Sequence, residues 1–363
     1  MKNIENLKIV FSLFRHGERE SLIDLNNNKY LKVSDLILEK IPDIKLKGEN
    51  FIKKYKSLFT KNPFSKENMS VYISNSPRTV KSFLYRMCSL IDKNNFEDMS
   101  FEILKEYSKE KFNAIFENYM FNMHEYSGNV RNKLTSSNPK LKILFDDVEK
   151  ELKNYSEDSL KLYQSYMNSD FLTQSQVPFM RLYYIDDFMK NSKKEIKDNF
   201  NDAQKGIKIC FEKVKEFKRL LTISTGNPNI YISFSYKIFK CIENEIEKIL
   251  NDKNDIKNII IFSGHDMNLA VILESLKIDN SNIQFECNDQ IDIEVFDKGD
   301  NKKLFVRILY NYQKVKLPFN NNEEECELIK FLNEIKKVTQ FNFNDILDYC
   351  EGRKEEGFFK EKE

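Results

Sequence analysis

The sequence predicts an α/β fold with a central, mostly parallel β-sheet flanked by helices and a mostly helical insertion in mid-chain. Three apolar runs predict the sheet, because each ends in a polar turn that leads into a segment of helical periodicity. One run, residues 259–262, is apolar at every position, which is typical of a strand buried on both faces. The insertion is predicted from helical spacing at 112–123, 141–152, 160–167 and 196–221.

The first half of the core is predicted as two strand–helix units. An apolar run at 7–14 is the first strand, and the spacing of the apolar side chains predicts a helix over 46–59. A second short strand at 71–74 precedes a helix over 80–91. In both units an arginine follows closely after the strand.

The second half of the core continues this alternation after the insertion. Its predicted elements are a helix over 230–250, a strand at 259–262, a helix over 267–276 and strands at 291–296 and 304–310. The predicted domains are therefore an α/β catalytic core, residues 1–91 and 221–363, and a helical cap, residues 92–220.

The charge balance excludes a protein that attracts nucleic acid through its net field. The 363 residues include 58 Lys and Arg against 57 Asp and Glu, so the formal net charge is +1. All apolar runs are shorter than the roughly 18 residues that a membrane-spanning helix needs. The six cysteines are scattered without zinc-type spacing, which argues against a zinc site. We predict no metal and no cofactor.

The start of the chain predicts a cytoplasmic location. Its short polar stretch runs directly into the first predicted strand and has no secretory leader pattern. A lysosomal or secreted location is expected instead if this N-terminus is processed or incomplete. The oligomeric state is left open by the sequence, with a homodimer among the alternatives.

Chemically active residues follow all three predicted parallel strands. The first strand leads into Arg-His-Gly at 15–17, the second into Ser-Pro-Arg at 76–78 and the third into Gly-His-Asp at 264–266. In open α/β sheets, ligands bind outside the carboxyl ends of the strands, where such segments converge. We therefore expect these three segments to form one site.

Together these residues suit the transfer of a phosphoryl group. Three arginines, Arg15, Arg19 and Arg78, would bind a dianionic phosphoryl group through their planar guanidinium groups. The neutral imidazole of His16 could attack phosphorus among them. The arginines would also supply the positive charge that Mg²⁺ provides in other phosphoryl-transfer sites.

Two further residues would complete this chemistry. His265 could donate a hydrogen bond to the equatorial phosphoryl oxygens, and Asp266 could protonate the leaving oxygen and then activate water. Each residue also has a plain structural explanation, and Asp266 in particular suits the N-cap of the following helix. Those separate explanations do not account for anion-binding chemistry at all three strand ends.

The sequence resembles the histidine acid phosphatases, the branch of the histidine phosphatase superfamily with Arg-His-Gly-x-Arg and His-Asp motifs. Residues 15–19 match the first motif, residues 76–79 resemble the middle arginine segment, and residues 263–266 match the His-Asp motif. The resemblance implies a three-layer, phosphoglycerate-mutase-like core with a helical cap. Glu20 and Ser21 stand where the family commonly has a proline after the first motif.

The resemblance also implies an activity, that of an acid phosphatase-like phosphoric monoester hydrolase without a cofactor. It implies that His16 forms a phosphohistidine intermediate and that Asp266 is the proton donor. Phosphate binding is implied for Arg15, Arg19, Arg78 and His265. The partner is then a small-molecule phosphate monoester.

Several alternatives stay open at this point. Within the family, the substrate could be an inositol polyphosphate, as in phytases, or lysophosphatidate, among other esters. A phosphoglycerate-mutase-like enzyme is a less favoured alternative, because that branch usually lacks an Asp after its second histidine. A non-catalytic scaffold that binds phosphate esters is also less favoured, because all the catalytic positions are filled. Glu18 and Glu20 have no assigned role.

Overall fold

The fold is taken from a computed structural model. It describes residues 6–20, 23–24, 29–30, 35–59, 64, 67–74, 76–91, 96, 98–112, 150, 228–253, 255–280, 283, 285–299, 303–342 and 344–345. Most of the predicted cap lies outside these residues, as does His124, the third histidine of the chain. The division into core and cap therefore stays a prediction.

The described residues form one seven-stranded sheet and a small hairpin. The hairpin pairs β2 (Ile23–Asp24) with β3 (Lys29–Tyr30). The strands of the sheet are β1 (Asn6–Arg15), β4 (Met69–Ile73), β5 (Ile259–Gly264), β6 (Gln290–Asp297), β7 (Leu304–Tyr310), β8 (Gln313–Lys314) and β9 (Glu325–Glu327).

The sheet order is β4-β5-β1-β6-β7-β8, with β9 paired to another part of β7. The neighbours β4, β5 and β1 are parallel, whereas β6 is antiparallel to both β1 and β7. Four strands, β1, β4, β5 and β7, therefore run in the same direction. The three parallel strands are the ones that the sequence predicts to end in chemically active residues.

Helices cover both faces of this sheet. One face carries α1 (Ile41–Lys54), α2 (Pro77–Arg86) and α3 (Phe101–Phe112), and the other carries α4 (Pro228–Leu250), α5 (Asp266–Ser275) and α6 (Leu328–Thr339). The alternation along β1 explains the two layers, because Phe11 and Leu13 join the core under α4 to α6 while Val10 and Phe14 join the core under α1 and α2. The predicted three-layer α/β class is confirmed.

Helix starts differ from the sequence predictions. The first helix begins at Ile41 rather than residue 46, and the second begins at Pro77 rather than residue 80, each with a proline in its first turn. Proline suits that position because its missing N–H would have no helical acceptor there. Arg78 consequently lies in the first turn of α2. The helix at Phe101–Phe112 was not predicted, since helical spacing was assigned only from residue 112.

Candidate active site

The three predicted segments meet at one edge of the sheet. In the register of the parallel strands, Arg15 lies beside Gly264, and Ile73 lies beside Ser263. The pairing continues past the strands, because the His16 N–H donates to the Gly264 carbonyl at 3.0 Å. Backbone hydrogen bonds therefore fix the relative positions of the segments before any side chain contributes.

His16 is held as a neutral imidazole with one defined tautomer. Its Nδ1 lies 2.7 Å from the Gly17 carbonyl oxygen, which can only accept, so Nδ1 carries the proton. Its Nε2 accepts a hydrogen bond from Arg78 Nε at 3.2 Å and therefore presents a lone pair. Burial lowers the pKa of His16 well below 6.5, and the charges of Arg78, His265 and Arg15 lower it further. A nucleophilic nitrogen is thus available at neutral and mildly acidic pH.

Close packing at Gly17 holds the turn that carries His16. A Cβ at this position would lie 2.4 Å from Ile44 Cδ1, which is closer than any ordinary contact. The Gly17 N–H donates to Ser82 Oγ of α2 at 2.8 Å. A side chain at residue 17 would require the Ile44 side chain to shift, so glycine allows the close approach of this turn to α1.

Arg15 connects the first and third segments. It is buried, and its Nη2 lies 3.3 Å from Asp266 Oδ2. Its Nη1 donates to the Phe285 carbonyl oxygen at 2.6 Å. A carboxylate and a carbonyl thus fix the plane of the guanidinium group, which presets its direction for a bidentate contact with phosphate.

His265 and Asp266 begin α5. His265, not Asp266, is the N-cap, which corrects the N-cap alternative considered for Asp266, and Asp266 is the first helical residue. The backbone N–H of His265 donates to Asn268 Oδ1 at 2.9 Å. The side-chain Nε2 of His265 lies 2.8 Å from Ser74 Oγ. Because Asp266 does not cap the helix, its carboxylate is available to pair with Arg15 and stays partly exposed.

The structure brings most of the predicted residues into contact. The rings of His16 and His265 lie 5.3 Å apart, Arg78 contacts His16, and Arg15 contacts Asp266. Arg19 is also buried, pairs with Leu36 through a β-bridge, and donates from Nη1 to the Glu20 carbonyl at 3.0 Å. The parts of all six residues in catalysis and phosphate binding stay predictions.

The two acids without an assigned role, Glu18 within the first motif and Glu20 directly after it, are more exposed than His16. Glu18 is 46% exposed and lies 3.7 Å from Lys40 across a surface ion pair. Glu20 is exposed, and its N–H donates to the Asp35 carbonyl. Neither acid is buried with His16, so a surface role explains both.

Sequence reasoning missed the contacts that support the site. Ser74, at the end of β4, bonds His265, and a segment at 285–289 contacts Arg15 and His16 through backbone groups. The position of Ser74 at the end of a predicted strand could have marked it as a site residue. The 285–289 segment gave no such signal, because it contacts Arg15 and His16 through backbone groups, which no sequence motif marks.

The described residues contain no group of three or more His, Cys, Asp and Glu side chains that could hold a metal ion. No helix in the same part of the chain is long and apolar enough to cross a membrane.

Comparison with solved structures identifies the fold. Hafnia alvei phytase in its apo form matches with a TM-score of 0.56 at 12% identity, over 92% of this chain and 97% of that chain. The chain shares its fold. The phytase from D. castellii matches with a TM-score of 0.56 at 12% identity, over 96% and 82% of the two chains.

A third structure extends the comparison beyond phytases. The multiple inositol polyphosphate phosphatase of Bifidobacterium longum, in complex with inositol hexasulfate, matches with a TM-score of 0.57 at 11% identity, over 90% of this chain and 91% of that chain. No family model matches the sequence, and no curated protein matches it. At these identities the likeness shows the fold alone.

Proposed function

We propose that this chain hydrolyses phosphate monoesters through a phosphohistidine on His16. The observation that carries the proposal is the state of the His16 ring. It is buried and neutral, its Nδ1 proton is bound by the Gly17 carbonyl, and its Nε2 lone pair faces the guanidinium group of Arg78. A nitrogen nucleophile beside a fixed cation suits attack on an anionic phosphorus centre.

The neighbouring groups supply the remaining requirements of the first step. Phosphorus forms a bond to His16 Nε2 as its bond to the ester oxygen breaks. Arg15 and Arg78 stabilise the charge on the equatorial oxygens, and His265 adds a donor beside the His16 ring. Asp266, in its protonated form, gives its proton to the leaving oxygen, which departs as an alcohol.

The second step reverses these roles. Asp266 accepts a proton from water as the water oxygen attacks phosphorus, and the bond between phosphorus and Nε2 breaks to release inorganic phosphate. The proton returns Asp266 to its starting form, so the cycle balances. Asp266 Oδ2 lies 3.3 Å from Arg15 Nη2, so the proposed proton donor would act beside one of the proposed phosphate ligands.

The family resemblance of the motifs supports this proposal, and so does the fold shared with phytases and an inositol polyphosphate phosphatase. Inositol polyphosphates are therefore the first substrate class to test. A scaffold without activity would have no use for a neutral, buried imidazole beside these arginines.

A phosphate-release screen tests the proposal. We expect the wild-type chain to release inorganic phosphate from at least one class among inositol polyphosphates, lysophosphatidate, phosphotyrosine peptides, sugar phosphates and simple aryl phosphates. The activity should persist in the presence of a chelator, because arginines supply the charge. Transfer of phosphate between positions of one substrate without release would favour the mutase alternative. Binding without turnover on any ester at acid and neutral pH would favour the scaffold.

A further inference from the structure

The segment 285–289 lies against the catalytic strand end and contacts it through backbone groups. The Phe285 carbonyl accepts from Arg15 Nη1 at 2.6 Å, and the Asn288 N–H donates to the His16 carbonyl at 3.2 Å. The Arg15 N–H in turn donates to the Asp289 carbonyl at 2.9 Å. The position of this short segment therefore determines where the Arg15 guanidinium group and the His16 backbone lie.

The buried carboxylate of Asp289 forms hydrogen bonds within the segment and to residues at the end of β7. Asp289 is buried, and its Oδ2 accepts from the Glu286 N–H at 2.7 Å, while the Asp289 N–H donates to the Glu286 carbonyl at 3.1 Å. Its Oδ1 accepts from Asn311 Nδ2 at 2.8 Å, and the Tyr310 hydroxyl donates to Oδ2. Three donors thus anchor Asp289, two of them just beyond or at the end of β7.

Other contacts fix the two ends of the segment. The Phe285 ring packs edge-on against Tyr310, with centroids 5.8 Å apart, so the residue that binds Asp289 also holds the side chain of Phe285. The buried Arg86 donates to the Asn288 carbonyl at 3.1 Å. Asn288 has a φ of 67°, in the left-handed region, which directs its N–H towards His16 while Arg86 binds its carbonyl.

We propose that Asp289 is a positioning residue for phosphate binding, which it serves by holding the Phe285 carbonyl against Arg15. The inference rests on the proposed function, since it assumes that Arg15 binds the phosphoryl group. Arg15 has five N–H donors in a rigid plane, so a small rotation of this plane would misalign both hydrogen bonds of a bidentate contact. The carbonyl of Phe285 and the carboxylate of Asp266 prevent that rotation.

Binding of inorganic phosphate, measured by calorimetry on the full chain, tests the proposal. Asp289→Asn keeps the size of the side chain but replaces one carboxylate oxygen with an NH₂ group. In the wild type both oxygens accept hydrogen bonds, and an NH₂ group cannot accept one. We expect phosphate affinity to fall by about tenfold, the lower end of what supporting residues contribute. Tyr310→Phe keeps the ring on Phe285 and loses only the hydroxyl, so we expect about a threefold loss.

Asp297→Asn is the matched control. Asp289 lies directly before β6, whereas Asp297 is the last residue of that strand, where it pairs with Lys8 at 2.8 Å. We expect this variant to bind phosphate as the wild type does. Equal losses in Asp297→Asn and Asp289→Asn would overturn the proposal, because they would reflect a general effect of charge on the fold.

A double-mutant cycle separates positioning from a structural role. Arg15→Lys keeps the charge but loses the planar group that Phe285 orients. In the Arg15→Lys background, we expect Asp289→Asn or Tyr310→Phe to change phosphate affinity by less than about twofold, because the residue through which they act is gone. Losses as large as those in the wild-type background would show that Asp289 does not act through Arg15.

The same measurements distinguish this inference from the proposed function. A wild-type chain that binds phosphate but hydrolyses no ester would overturn the phosphatase proposal, and the cycle would still decide the role of Asp289. A wild-type chain that binds no phosphate would overturn both. If Asp289→Asn does not fold, the double-mutant cycle is measured with Tyr310→Phe and Arg15→Lys. An unchanged phosphate affinity in Tyr310→Phe then contradicts the proposal.

Discussion

His16→Ala is expected to lose turnover of every phosphate monoester that the wild type hydrolyses, by at least about 10⁴-fold. The variant removes the nitrogen whose lone pair accepts a hydrogen bond from Arg78 Nε. Phosphate release from wild type and variant, measured at equal concentrations and several pH values, gives the comparison. Binding of inorganic phosphate should largely persist, because the arginines remain.

His124→Ala is the matched control for this prediction. His124 is the third histidine of the chain and belongs to none of the three motif segments. We expect this variant to keep most of the activity. Near-normal turnover by His16→Ala would show that the phosphoryl group is not transferred to His16, whatever His124→Ala does.

Asp266→Asn is expected to slow hydrolysis most for esters with poor leaving groups. Alkyl phosphates should lose about 10²–10³-fold in rate, because their leaving oxygen needs a proton in the transition state. An aryl phosphate with a strongly acidic phenol should lose less than about tenfold, because its leaving group departs as an anion. The measurement is the rate of phosphoenzyme formation across a series of esters of graded leaving-group pKa.

The ion pair between Asp266 and Arg15 makes it necessary to compare esters with different leaving groups. Asp266→Asn also weakens a contact that orients Arg15, at 3.3 Å, and that loss should slow all esters equally. Only the dependence on leaving group reports proton donation. Glu18→Gln is the control, because it removes an acid two residues from His16 that pairs with Lys40 at the surface. Equal slowing of all esters by Asp266→Asn would contradict its role as the acid.

The sheet and the three segments at its edge were predictable because their signals are local. An unbroken apolar run such as 259–262 is typical of a strand buried on both faces, and the structure buries every residue of it. Parallel neighbours then place Arg15, His16, His265 and Asp266 at one edge without further information. Two details needed correction: Arg78 lies within the first turn of α2, and His265 rather than Asp266 is the N-cap of α5.

Helix starts and supporting contacts were less predictable for physical reasons. The polar first turn of α2, which includes Pro77 and Arg78, interrupts the apolar periodicity, so the pattern begins later than the helix. Asp289 has no motif of its own, and its value to the site arises from Tyr310 and Asn311, which approach it only because β6 and β7 pair. Long-range pairing of this kind leaves no periodic trace in the sequence.

Trapping the phosphoenzyme tests the central claim most directly. The wild-type chain is mixed with an ester labelled in its phosphoryl group, quenched within one turnover in denaturant under alkaline conditions, and digested for mass spectrometry. We predict one labelled peptide that contains His16, with the phosphoryl group on an imidazole nitrogen, and no label in His16→Ala. Label on any other residue, or turnover by the wild type with no labelled peptide, would contradict the account.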